Sequence, residues 1–142
     1  MTAKILGTMN FRIELKSVEF IPKVLNERIL FVSKRFNVAA HLCPCGCGTK
    51  VVTPLGPCEW FLSVKKGKPT LFPSIGNWQI PCRSHYWIKK GQIEWSYSWT
   101  EEEIRKGRDL EQKRREAYYN SLMFRRKTSR LRQLLRWVKS RL

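Results

Sequence analysis

The chain has 142 residues, 42% hydrophobic and 27% charged, which is enough for a core of its own and too apolar for a disordered segment. No uncharged run approaches the ~20 apolar residues of a membrane span, and the opening MTAKILGTMNFRIELK has no apolar run or cleavage site of a secretory signal. A cytoplasmic protein is therefore expected, and in that compartment its five cysteines suit metal binding better than disulfides. The balance of 28 Lys+Arg against 11 Asp+Glu, a net charge of +17, favours an acidic or polyanionic partner.

Taken in chain order, residues 1–99 are rich in β-branched and aromatic residues in short runs broken by turn residues. Strands are expected at 11–15, 18–21, 29–32, 37–42, 50–53, 60–64, 86–88 and 93–97. Trp60, Leu62 and Val64 alternate with Phe61, Ser63 and Lys65, as in a half-buried strand, and Ile93, Trp95, Tyr97 and Trp99 repeat the period of two. Lys66-Gly67 and Lys90-Gly91 have hairpin-turn chemistry. Ser74-Ile75-Gly76-Asn77 reads as a turn with an apolar plug. Trp78, Trp87, Trp95 and Trp99 are expected to fill an aromatic core.

The switch to helix comes at Thr100. Thr100 and Glu103 form a capping box, Trp99 and Ile104 a hydrophobic staple, and three glutamates occupy the first turn. Gly107 weakens this helix. A second helix is expected from about Thr128, with Leu131, Leu134, Leu135, Val138 and Leu142 on one face. The fold class expected is thus α+β: a small antiparallel β-sheet or barrel over 1–99, stapled by a metal, then one or two basic helices over 100–142. From residue 117 onward there are eight basic side chains and no acidic one. Arg125, Arg126, Lys127, Arg130, Arg132, Arg136 and Lys139 are candidates for binding nucleic acid or another partner.

All five cysteines and both histidines fall between 41 and 85. One group is Cys43-Pro-Cys45-Gly-Cys47-Gly, and the other is Cys82-Arg-Ser-His85. Thiolate and imidazole donors on two separate turns are how a zinc ribbon is built. Any two of Cys43, Cys45 and Cys47 suit the first half-site, and Cys82 with His85 the second. His41 and Cys58 read as packed side chains. Zinc closed in by four such ligands is structural. An iron–sulfur centre of the Rieske kind is the alternative, although it takes a His from each group. A zinc deaminase would need a His-x-Glu that is absent here. No glycine-rich phosphate loop and no Gly-x-Ser-x-Gly elbow occurs, Ser84 reads as a turn hydroxyl, and catalysis is not indicated.

The stretches His41-Leu-Cys-Pro-Cys-Gly-Cys-Gly, Pro73-Ser-Ile-Gly-Asn-Trp78 and Pro81-Cys-Arg-Ser-His-Tyr-Trp-Ile88 resemble a bacterial family of small proteins. That family is marked by a Cys-Gly-Cys-Gly knuckle and a Ser-Ile-Gly-Asn-Trp…Cys-x-Ser-His-Tyr-Trp signature. Some members are encoded beside genes for ubiquitin-like conjugation. The resemblance covers roughly residues 10–97. It implies Cys43, Cys45, Cys47, Cys82 and His85 as the metal-binding set and a component of a ubiquitin-like system as partner, while the net charge of +17 suits an acidic protein partner. The function expected is a non-catalytic zinc-binding interaction module, an adaptor in a ubiquitin-like conjugation or defence system. The alternatives are a nucleic-acid-binding zinc protein using the basic tail, and a Rieske-like redox protein.

Overall fold

A computed structural model describes residues 11–141. The chain divides into two compact units, one ending at Ser98 and one beginning at Trp99.

The first unit carries nine strands among the described residues. They are β1 (Phe11–Arg12), β2 (Glu14–Ser17), β3 (Ile29–Ser33), β4 (Val38–Leu42), β5 (Lys50–Pro54), β6 (Phe61–Lys65), β7 (Lys68–Gly76), β8 (His85–Lys89) and β9 (Gln92–Trp95). They form two sheets, a five-stranded one in the order β1-β9-β8-β7-β6 and a four-stranded one in the order β2-β3-β4-β5. All pairings are antiparallel except β2 with β3, which is parallel. β2 and β3 can run parallel because residues 18–28 form a crossover instead of a tight turn. The expected strand at 18–21 is not one. Its Val18 and Ile21 instead pack, with Leu25, against Phe31 and Ala40 on one face of the smaller sheet.

Leu30, Val32, Ala39 and Val51 of the smaller sheet meet Leu71, Ile75, Tyr86, Ile88 and Ile93 of the larger in one continuous buried cluster. Period-two alternation produces this arrangement, turning Leu30 and Val32 to one face and Phe31 to the other. Lys66, Gly67, Lys90 and Gly91 all have positive φ. This is the backbone of two-residue hairpin loops whose twist matches the strands they join.

β7 runs through a segment that reads as turn in the sequence. Pro69 and Pro73 lower its strand propensity, yet it pairs with strands on both sides. Its ladder with β8 slips between Leu71 and Ile75: Leu71 faces Ile88, Ile75 faces Tyr86, and Gly76 faces His85. A bulge of this kind accommodates a proline and re-aims neighbouring side chains.

The second unit is a single helix, α1 (Glu101–Lys139), about 58 Å long at 1.5 Å per residue. Thr100 caps it as expected, with both arms of the capping box formed. No second helix starts at Thr128. The Thr128 hydroxyl donates to the Arg125 carbonyl inside the same continuous helix, which satisfies it without a break. Gly107 has a packing role as well, since a Cβ there would lie 2.7 Å from the Trp99 ring. The four tryptophans expected in the core are each only partly buried. Among the described residues, no helix is long and apolar enough to cross a membrane.

Candidate functional site: a cysteine knuckle beside a serine–histidine pair

The loop between β4 and β5 folds back on itself. The Gly46 N–H donates to the Cys43 carbonyl and the Cys43 N–H to the Thr49 carbonyl. Gly46 and Gly48 have φ of +88° and +76°, a conformation that side chains with a Cβ resist. These turns bring Cys43, Cys45 and Cys47 to Cys82, with the four sulfur atoms all within 4.8 Å of one another. Cys43 Sγ lies 3.8 Å from Cys82 Sγ, and Cys47 Sγ 3.9 Å from it. A tetrahedral zinc with Zn–S bonds of ~2.3 Å separates its sulfurs by roughly 3.8 Å, so the donor set fits such an ion in type, number and spacing.

The thiols differ in their surroundings. Burial pushes the Cys43 and Cys45 thiols up. Cys47, hydrogen-bonded with the Thr49 side chain and backbone, is drawn down to about 6. Four sulfurs this close cannot all be thiolates without a cation between them, and binding a divalent ion is what favours their joint deprotonation.

His85, expected as a ligand, lies outside this cluster. Its Nδ1 is 2.9 Å from the Tyr97 carbonyl oxygen and its Nε2 is 2.9 Å from Ser74 Oγ. A carbonyl only accepts, so Nδ1 carries the proton of the neutral ring. Nε2 is then the acceptor, and the Ser74 hydroxyl donates to it. Ser74 sits inside the β7 bulge and is half-buried, whereas His85 is buried at the first position of β8. Trp78 packs against His85, the two rings edge-on with centroids 5.0 Å apart. Gly76 admits that indole, since a Cβ there would lie 2.5 Å from Trp78 Nε1.

A hydrogen-bond network runs from the knuckle to Ser84, the residue before His85, and to Asn77, three residues after Ser74. Ser84 Oγ lies 3.2 Å from Cys43 Sγ and 3.5 Å from Cys82 Sγ. It accepts from Asn77 Nδ2 at 2.8 Å. Asn77 Nδ2 also reaches the Tyr86 hydroxyl at 3.5 Å, and that hydroxyl is 2.7 Å from His41 Nε2. His41 is buried and outside the sulfur cluster, and burial lowers its pKa to about 4. Cys58 is buried elsewhere. A Rieske centre takes two histidines on one iron, and neither His41 nor His85 belongs to the cluster. On α1, Arg125, Arg126, Lys127, Arg130, Arg132, Arg136 and Lys139 are all exposed.

The sequence points to the four cysteines through their spacing, whereas Ser74 and His85 are eleven residues apart and match no local nucleophile motif. The signal that carried them was the pair of segments Ser74-Ile-Gly-Asn-Trp78 and Ser84-His-Tyr-Trp87, in which every residue from Ser74 to Trp78 and from Ser84 to Trp87 has a part in this region or its flanks.

The fold and site therefore define a β-domain with a four-cysteine knuckle buttressing a hydrogen-bonded serine–histidine pair. A family model described as bacterial ubiquitination-like system serine protease (BubE) matches residues 17–96, more than half of the chain, and the chain belongs to this family. Ser74, His85 and all five cysteines lie inside the matched segment. No curated protein and no solved structure matches the chain.

Proposed function

We propose that this protein is a serine-dependent peptidase of a bacterial ubiquitination-like system, with Ser74 as nucleophile and His85 as general base. The observation that carries this reading is the 2.9 Å contact between Ser74 Oγ and His85 Nε2, with His85 Nδ1 held by the Tyr97 carbonyl. Nucleophile, base and orienting acceptor stand in the order that serine acyl transfer needs. The family description supports the same reaction class. The expected non-catalytic adaptor is the reading that remains if this pair is inert.

The steps follow from the tautomer. Ser74 Oγ attacks the scissile carbonyl as His85 Nε2 takes its proton. The imidazolium returns that proton to the departing amine, leaving an acyl-serine. Water then attacks the ester, His85 again taking the proton, and the acid product leaves with Ser74 restored. The Tyr97 carbonyl stands where serine hydrolases often place a carboxylate. It fixes the ring's tautomer and orientation but brings no full negative charge to the imidazolium.

Cys43, Cys45, Cys47 and Cys82 would hold a zinc ion. With four protein ligands it would act as a structural clamp with no open position for substrate. Through Cys82, Ser84 and Asn77 it would set the end of β7 against the start of β8, and hence Ser74 against His85.

The test is covalent labelling of the full-length, zinc-loaded protein by a fluorophosphonate, with tandem mass spectrometry of the adduct. An adduct on Ser74, lost in Ser74→Ala and strongly slowed in His85→Ala, is the expected result. A folded, metal-loaded protein that forms no adduct on Ser74 would overturn the proposal.

The acid-free end of α1 supports a second, separable property. Its seven exposed cationic side chains from Arg125 to Lys139 have the charge to neutralise nucleic-acid phosphates.

A further inference from the structure

The outer face of the five-stranded sheet carries an apolar strip next to the reacting pair. Phe61 on β6 is directly opposite Phe72 on β7. The Phe72 ring lies against Trp87 of β8, with centroids 5.9 Å apart. Phe61 and Phe72 are 65% and 59% exposed, which is unusual for side chains of this size packed in a row. Their strand neighbours Leu71, Ile75, Tyr86 and Ile88 all point the other way, into the core.

The strip is in step with the reacting pair. Ser74 follows Phe72 by two residues on β7, and His85 precedes Trp87 by two on β8. On β8, which pairs regularly with β9, the period of two places His85 and Trp87 on one face, about 7 Å apart along the strand, and the bulged β7 brings Ser74 to His85 and Phe72 to Trp87. Any polypeptide whose carbonyl reaches Ser74 Oγ must lie over this face. A residue of that polypeptide roughly two positions from the scissile bond then rests on the rings of Phe61, Phe72 and Trp87. Lys89 at the strip has its Nζ 4.9 Å from the Trp87 ring centroid and is paired with Glu94, so its charge is already matched.

We infer that the Phe61–Phe72–Trp87 strip is a specificity subsite that seats a large apolar side chain of the substrate polypeptide, close to the bond cleaved. This rests on Ser74 being the nucleophile.

Two fluorophosphonates test it on the full-length, zinc-loaded protein, one with an octyl chain and one with a triethylene-glycol chain of similar length. The octyl reagent is expected to label Ser74 about tenfold faster or more, the range one apolar contact surface confers. Phe61→Ser removes an exposed ring and is expected to retain the fold, and Trp87→Ser is the second variant. Both should reduce the octyl advantage, read as the ratio of the octyl to the glycol labelling rate within each variant. Equal rates for the two reagents in the unaltered protein would overturn the subsite. An octyl advantage that survives both variants would overturn it as well. If neither reagent labels Ser74, the peptidase reading itself fails, a result distinct from either of these.

Discussion

Asn77 and Ser84 are joined twice. The Asn77 backbone N–H donates to the Ser84 carbonyl at 2.8 Å, and Asn77 Nδ2 donates to Ser84 Oγ at 2.8 Å. Ser84 touches the sulfurs of Cys43 and Cys82, and the next residue is His85. Asn77 follows Ser74 by three residues, so this double contact ties the cysteine knuckle to the serine–histidine pair.

Asn77→Ala should therefore weaken both fold and chemistry. It removes the Asn77 Nδ2 hydrogen bonds to the Ser84 and Tyr86 hydroxyls, at a cost of about 1–3 kcal/mol. A lowered melting temperature together with slower labelling of Ser74 is expected. Unchanged labelling in a destabilised variant would show that the network supports the fold alone.

Removing the metal should undo the site in the same order. A strong chelator, or Cys82→Ser, is expected to release about one zinc per chain, lower the melting temperature and abolish Ser74 labelling. Cys58→Ser, outside the cluster, should retain the zinc. Elemental analysis with a visible spectrum checks the metal itself: a visible absorption band with bound iron would mean a cysteine-ligated iron centre in place of zinc.

Gly76→Ala is expected to be costly for its size. The added methyl would sit 2.5 Å from Trp78 Nε1, so the indole must leave its place beside His85. The loss should exceed the ~0.5 kcal/mol that bounds an ordinary surface change. It should be smaller when Trp78→Leu is already present, as a double-mutant cycle measures.

His41 predicts an acid limb of stability. Its folded pKa is depressed to about 4 from an ordinary 6.5. Below pH 6.5 the unfolded chain binds a proton that the buried ring refuses. Stability is therefore present above 6.5 and falls as pH drops towards 4, by up to about 3 kcal/mol at 1.36 kcal/mol per pKa unit. Chemical denaturation of the zinc-saturated protein between pH 7 and 5 should show this fall. His41→Gln should flatten it.

The basic end of α1 makes a separate prediction. Binding to a duplex or single-stranded oligonucleotide should weaken steeply with salt. Arg130→Gln, Arg132→Gln and Arg136→Gln together should reduce the slope of log affinity against log salt by roughly the number of phosphate contacts removed. A slope that does not change would remove these residues from any such contact.

Elements governed by neighbours in sequence were legible. Thr100 and Glu103 announce the helix start, and Lys66-Gly67 and Lys90-Gly91 the hairpins. The alternation in 60–64 and 93–97 marks strands found at Phe61–Lys65 and Gln92–Trp95. β7 was not legible, because Pro69 and Pro73 argue against a strand and only pairing on both sides overrides them. The continuity of α1 through Thr128 was hidden for a similar reason, since a hydroxyl at that position also serves as a cap.

The candidate site divides along the same line. Cysteine spacing and the glycines beside it marked a knuckle with the donors to hold a metal, because turn geometry and thiolate chemistry act over a few residues. Which donors converge was decided by tertiary structure. His85 lies three residues from Cys82, yet the strand that begins with it carries it to Ser74 instead. That meeting depends on the ladder between β7 and β8 slipping between Leu71 and Ile75. A register slip is a property of two paired strands, set by how both bury their opposite faces in a shared core.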